Sequence, residues 1–240
     1  VTNHTGDVIS YNDKTPFLSS DLLNAKSPTW LNDLSNYHNV GPMSNCWGEG
    51  PCIQTGDFYG LDDIATEKPV VYNGWADVYG QWIKDYGISG FRVDTARHVD
   101  DAFFKNWSPQ INAAAKSVGI DNFTIFGEVW DVNPINLMNY VRRNKIQTVL
   151  DFPFQRTAAE FAAGYSDATV VENLFAYDDL YTTATSDANN LVTFLGNHDM
   201  GRAAKIIESK RINKASELLP RTLLGHALMY LTRGIPSVYY

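Results

Sequence analysis

From residue 75 onward the apolar positions switch repeatedly between two periods, and each switch marks a new element. In WADVYGQWIKDYG, Trp75, Val78, Tyr79, Trp82, Ile83 and Tyr86 share one helical face, and Gly87 stands where a helix stop belongs. ISGFRVD then alternates as a strand does. A helical stretch through Phe103, Trp107, Ile111 and Ala115 follows, which Ser108-Pro109 is expected to break or restart, with proline in the first helical position. FTIFGEVW reads as the next strand. Asn133-Pro134 opens a short helix with Leu137, Met138 and Val141 inward and Arg142 and Arg143 near its end, where the helix dipole favours cations. IQTVLDFPF is a further strand, two helical stretches occupy roughly 155–186, and NLVTFLGNHD is strand again. A last helix through Leu223, Leu224, Ala227, Leu228 and Leu231 is expected to run to about Arg233, stopped by Gly234 before IPSVYY.

Strands are thus expected at 89–94, 123–128, 147–152, 191–196 and 236–240. Strands separated by helices in this way predict an α/β fold with a parallel sheet. Residues 1–74 keep neither period and are rich in Asn, Asp, Ser, Gly and Pro. So long an irregular stretch reads as an inserted lobe, which includes WLNDLSNYHNVGPMSNCWGEGPC, with the regularly alternating portion following at 75–240.

Strands buried on both faces should be near-continuously apolar. Three of these depart from that at their last residues: GFRVD ends in Asp94, FTIFGE in Glu128, and TFLGNHD in His198 and Asp199. In a closed α/β barrel all carboxyl ends meet on one face, so the three acids are expected to converge there. Like charges brought together cannot all ionise freely, and one carboxyl kept protonated beside one kept anionic is the arrangement that retaining glycoside hydrolysis needs. Arg92, on the same strand face as Asp94, is placed to hold that aspartate ionised and aligned. A single Asp at a strand end is more often a cap for the next helix. Three such endings, one with an arginine two positions earlier and one preceded by Asn-His, favour chemistry.

Composition narrows the partners. The 240 residues, 44% hydrophobic, are enough for the core of one large α/β domain. A formal charge of −8 with no Lys/Arg run excludes a nucleic-acid surface and favours neutral ligands. An aromatic content of 13% suits stacking on flat apolar ligand faces as well as aromatic cores. No apolar run reaches the roughly 18 residues that a membrane helix requires. Cys46 and Cys52 sit in CWGEGPC, a tight loop that leaves two readings open, a disulfide, which implies an exported protein, or two buried thiols. The start at VTNHTGD and the end at SVYY read as cuts through a larger protein.

These motifs together resemble the α-amylase family of glycoside hydrolases, family 13. GFRVDTARHV resembles its strand-four motif, FGEVW its strand-five motif and FLGNHD its strand-seven motif. VTNH resembles the second half of the strand-three motif, GIPSVYY the strand-eight motif, and GLDDIATE a divergent form of the short motif near the end of the inserted lobe. The resemblance implies an incomplete TIM (β/α)8 barrel, running from about the end of strand three to strand eight, with a domain B lobe inserted after strand three. Strands one and two and the C-terminal domain would lie outside the chain, which alone is then expected to fold poorly. It implies Asp94 as nucleophile, Glu128 as general acid and then base, and Asp199 as the carboxylate that binds the distorted sugar. Arg92 would support Asp94, His4 and His198 would donate to the central sugar, and Arg97 and His98 would line the leaving-group side. His38 and His226 are expected to be satisfied core residues. A structural calcium would be bound by Asn3, Asp63 (chosen over Asp62 from the motif) and the backbone carbonyl of His98. The implied activity is retaining hydrolysis of α-glucans such as starch or maltodextrins, by a secreted or periplasmic monomer.

Three readings compete: hydrolase, transglycosylase on the same scaffold, and a silent carbohydrate-binding relative. Trp130, Trp47, Phe58 and Tyr59 are candidates for the acceptor side, each equally plausible as core. The silent relative is the least favoured, since Asp94, Glu128 and Asp199 are all present.

Overall fold

The computed structural model describes residues 1–12, 15–43, 50–211 and 215–240. Cys46 and Trp47 lie outside the described residues, and with them the question of the Cys46–Cys52 pair. The chain forms two compact units, Val1–Glu128 and Val129–Tyr240.

In the first unit the stretch expected to be irregular carries short regular pieces. A hairpin pairs β1 (Ser10–Asn12) with β2 (Thr15–Phe17), and 3-10 turns occupy Thr29–Asn32 and Leu34–Asn36. A single helical turn, α1 (Cys52–Thr55), follows. Pieces this short leave no periodic signature in a sequence. Polar ties organise the segment. The Asp62 carboxylate accepts from the backbone N–H of Val8 and Ile9 (3.1 and 3.2 Å) and pairs with Lys26 Nζ at 2.6 Å.

Helix α2 (Pro69–Tyr86) starts earlier than the pattern predicts, because Pro69 supplies a first helical residue whose missing N–H costs nothing there. Its buried stripe is Val71, Trp75, Ala76, Gly80 and Ile83. Gly87 ends it in the left-handed conformation (φ 62°), and its N–H closes on the Ile83 carbonyl. Strand β3 (Gly90–Val93) comes next. Then α3 (Phe103–Ser117) runs unbroken through Pro109, contrary to the expected restart. A proline inside a helix costs about 3 kcal/mol. Phe103, Phe104, Trp107, Ile111 and Ala115 are all buried, and Trp107 stacks on Phe103 at 5.5 Å, so packing of this face outweighs that cost. Strand β4 (Thr124–Gly127) pairs parallel with β3 in the register Gly90↔Thr124 to Val93↔Gly127.

The second unit continues the alternation. Helix α4 (Pro134–Arg142) is capped as expected by the Asn133 side chain, which accepts from Ile135 N–H at 2.9 Å. After β5 (Thr148–Val149), Asp151 caps α5 (Phe152–Ala162), so Phe152 opens a helix where the sequence suggests the end of a strand. Next come α6 (Thr169–Phe175) and a 3-10 turn at Asp178–Tyr181, then β6 (Val192–Thr193). Within the stretch expected to be one last helix, the described residues include α7 (Ala203–Arg211) and α8 (Ala215–Leu231), followed by β7 (Ile235–Pro236). β6 pairs parallel with β7, and a parallel bridge joins Leu150 to Val192. Among the described residues no helix is long and apolar enough to cross a membrane.

Candidate active site

Because β3 and β4 are parallel and in register, Asp94 and Glu128 leave neighbouring strands at the same level, and Glu128 N–H bonds the Val93 carbonyl at 2.8 Å. Strand alternation puts Arg92 on the same face as Asp94, and its Nη1 donates to the Asp94 carboxylate. The second guanidinium nitrogen forms an ion pair with Glu128 Oε1 at 2.9 Å, off the hydrogen-bond line and so chiefly electrostatic. One arginine therefore forks across both carboxylates, a role beyond the expected support of Asp94. The other Glu128 oxygen accepts from Thr95 N–H at 3.1 Å. The two acids differ in access: the Asp94 side chain is 28% exposed and that of Glu128 9%.

His4 and His98 are held by aromatic packing on Phe58. The His4 ring stacks on Phe58 at 5.9 Å, and His98 lies against the same ring at 4.8 Å. Burial pushes the His4 pKa below the ordinary imidazole value, against the upward pull of the Asp94 carboxylate. Burial also lowers His98, against its hydrogen bond to the Ile53 carbonyl (2.9 Å). Both rings are thus neutral donors or acceptors near neutral pH. Arg97 and His98 belong to the 3-10 turn Ala96–His98, which follows Thr95 directly. Tyr59 is 88% exposed and packs edge-on to Phe58 at 4.8 Å. Phe58, one of the four aromatics whose place the sequence leaves open, lies against both histidines.

In the second unit Asp199 and His198 sit in a tight turn after β6. The Asn197 side chain accepts from Asp199 N–H (3.0 Å) and Met200 N–H (2.8 Å), and the Asn197 carbonyl accepts from Gly201 N–H at 2.8 Å. Gly196 must be glycine, since a Cβ there would run into the Gly201 carbonyl oxygen. His198 Nε2 lies 3.3 Å from Asp199 Oδ2, and both side chains are exposed. The sequence marks Asn197 only as the residue before His-Asp; its structural role is to build this turn. Trp130 is 46% exposed and stacks on Phe152 at 5.1 Å.

The expected cation ligands also take definite places. His4 bridges to Asp63 as an antiparallel pair, and the Asn3 carbonyl accepts from Ile64 N–H at 2.8 Å. One Asp63 oxygen bonds His38 Nδ1, while Oδ1 is buried without a hydrogen-bond partner. Burial raises the Asp63 pKa to about 7 even though His38 opposes the shift. Asp62, by contrast, is spent on Val8, Ile9 and Lys26. The Asn3 amide oxygen accepts from the Thr95 hydroxyl, and its amide nitrogen is buried without a partner. A buried carboxylate oxygen lacking a donor fits a hard cation. Among the described residues no three His, Cys, Asp or Glu side chains gather as metal ligands, so such an ion would depend on amide and carbonyl oxygens besides Asp63. His38 also reaches Glu67 at 3.1 Å, and His226 bonds the Thr222 carbonyl at 2.9 Å.

Parallel strands alternating with helices, with acids at their carboxyl ends, define an α/β chain of the TIM-barrel type. The family model described as the alpha amylase catalytic domain matches residues 53–240, and the chain belongs to the α-amylase family. It is 40% identical over 228 residues to an alpha-amylase of Streptomyces lividans, covering 95% of this chain and 24% of that protein. Identity to a cyclomaltodextrin glucanotransferase of Klebsiella oxytoca is 28% over 223 residues, covering 85% of this chain and 33% of the relative. The crystal structure of an Anoxybacillus alpha-amylase matches with a TM-score of 0.77 at 27% identity, over 100% of this chain and 46% of that one. The Geobacillus thermoleovorans alpha-amylase complexed with acarbose matches with a TM-score of 0.69 at 27% identity, over 81% of this chain and 41% of that one. The chain thus spans less than half the length of each of these proteins.

Proposed function

We propose that this chain carries the catalytic carboxylates of a retaining α-glucan hydrolase of the α-amylase type. The observation that carries the reading is the Arg92 fork, which holds Asp94 and Glu128 at the ends of adjacent parallel strands. Two carboxylates that share one guanidinium at the ends of paired strands lie on one side of the sheet end, an arrangement suited to the closely spaced acid and nucleophile of a retaining enzyme. Asp94, the more exposed acid, attacks the anomeric carbon as the glycosidic C–O bond breaks, and Glu128 gives its proton to the departing oxygen. Glu128 then takes a proton from water, which attacks the same carbon and releases Asp94. Asp199 stabilises the oxocarbenium-like transition state and holds the sugar hydroxyls, with His4 and His198 as further hydrogen-bond partners. Arg97 and His98 are assigned to the leaving-group side, and Trp130, 46% exposed, is suited to stacking on a sugar ring.

Transfer to a sugar hydroxyl is the second reading, favoured by that exposed indole and by the glucanotransferase among the relatives. Following the products of maltoheptaose and pullulan with time in the protein that carries this chain separates the two. Hydrolysis predicts only shorter saccharides from the first turnovers. Longer saccharides appearing early would establish transfer, and no turnover of either glucan would defeat both readings.

A calcium ion held by Asn3, Asp63 and the His98 carbonyl completes the proposal, supported by the unpartnered Asp63 oxygen. When bound, it supplies positive charge to a buried carboxylate and ties three distant segments together. Calcium at about 100 times its dissociation constant adds ~2.7 kcal/mol, which corresponds to a rise in Tm of roughly 5–10 °C for a domain of this size. The Asp63→Asn variant is expected to lose most of that rise. A Tm that ignores calcium and chelator alike would overturn the assignment.

A further inference from the structure

We infer that Thr95 is a positioning residue for the acid catalyst, gripping Glu128 through its backbone N–H and gripped in turn through its hydroxyl by Asn3. The inference rests on the assignment of Glu128 as general acid made above. Thr95 has φ 49° and ψ 34°, the left-handed conformation. For a β-branched side chain this is an outlier, because the second γ atom crowds the backbone where glycine or asparagine would sit at ease. Strained backbone of this kind persists only when its surroundings fix it, and it concentrates at functional sites.

The surroundings here are specific. The Thr95 hydroxyl donates to the Asn3 amide oxygen, and Asn3 is fully buried with its carbonyl tied to Ile64 N–H at 2.8 Å. The left-handed turn directs the Thr95 N–H to Glu128 Oε2 at 3.1 Å. Arg92 reaches both acids and so cannot set the aim of one independently of the other. Thr95 contacts Glu128 from the residue directly after the nucleophile, and therefore fixes the angle between the two carboxyl groups. If the turn mattered only for chain direction, glycine would serve as well or better. A threonine is explained by the hydroxyl, which anchors the turn to a buried amide.

The test uses Thr95→Gly, Thr95→Val and Thr95→Ser in the protein that carries this chain, on two substrates. Maltoheptaose has a sugar leaving group that needs protonation, whereas α-maltosyl fluoride expels fluoride with little help from an acid. Thr95→Gly and Thr95→Val are expected to lower kcat/KM for maltoheptaose roughly tenfold, a part of the typical 10²–10⁴ contribution of general acid catalysis. First-turnover fluoride release should fall by less than about threefold. Thr95→Ser should restore both. Thr95→Gly is the decisive variant, because glycine suits the backbone and folding is not at stake. An unchanged rate on maltoheptaose, or an equal loss on both substrates, would overturn the inference. Glu128→Gln run alongside separates the two levels. If it cleaves maltoheptaose at the unaltered rate, the functional reading itself falls, whatever Thr95 does.

Discussion

Asp94→Asn is expected to lower kcat for maltoheptaose hydrolysis by roughly 10⁴-fold in the protein that carries this chain, equivalent to ~5.5 kcal/mol of transition-state stabilisation. The amide keeps the size of the side chain and one oxygen for Arg92, so the fold and the grip on Glu128 should survive. What disappears is the anionic oxygen that bonds to the anomeric carbon. The loss should fall on kcat, with KM little changed, because an interaction made only in the transition state has gone. Circular dichroism and Tm close to those of the parent protein would confirm that chemistry alone was removed. A kcat within tenfold of the parent value would exclude Asp94 as nucleophile.

Arg233→Met carries the largest expected effect on stability. Asp151 is fully buried at the cap of α5, where one oxygen accepts from Phe154 N–H at 2.9 Å. Arg233 Nη1 bonds the other oxygen, and its Nε bonds Asp178 at 2.9 Å. The guanidinium also lies over the Phe175 ring at 5.3 Å. Burial pushes the Asp151 pKa up, and Arg233 is the cation that pulls it back. Methionine preserves the packing and removes the charge, leaving a buried carboxylate without its counter-ion. Such a loss costs about 3–5 kcal/mol, and urea unfolding is expected to show it near pH 7. A raised folded-state pKa stabilises below the unfolded value and loses that stabilisation as pH rises through the folded value. The gap between variant and parent should therefore narrow toward pH 4, where Asp151 can bind a proton. A penalty below about 1 kcal/mol would show that water or another group compensates Asp151.

The sequence revealed those features that are periodic or tied to a motif. Phe91 and Val93 alternate with Arg92 and Asp94, so a strand ending in an acid was legible, and Gly87 marked the end of α2. Other features depend on contacts between residues far apart in the chain. Nothing local to Pro109 shows that the stacked aromatics of α3 will carry the helix through it. The Arg92–Glu128 pair exists because β3 and β4 are parallel and in register, a fact of pairing that no single strand encodes. Thr95 looked like an ordinary residue of the motif; its left-handed backbone and its bond to Asn3, 92 positions away, appear only in three dimensions. Asn197 could have been found, since its side chain bonds two neighbouring N–H groups in a local turn. The Asp151–Arg233 pair joins residues 82 positions apart, so the sequence places both but links neither.

As nucleophile, Asp94 becomes covalently attached to the sugar, and trapping captures that bond itself. A fluorinated maltosyl substrate that forms its glycosyl-enzyme faster than water releases it should leave a stable adduct, located by mass spectrometry of the digested protein. One maltosyl label per chain is expected, on the tryptic peptide VDTAR (residues 93–97) and at Asp94. A label on any other residue, or steady turnover to a product of inverted configuration with no label, would contradict it.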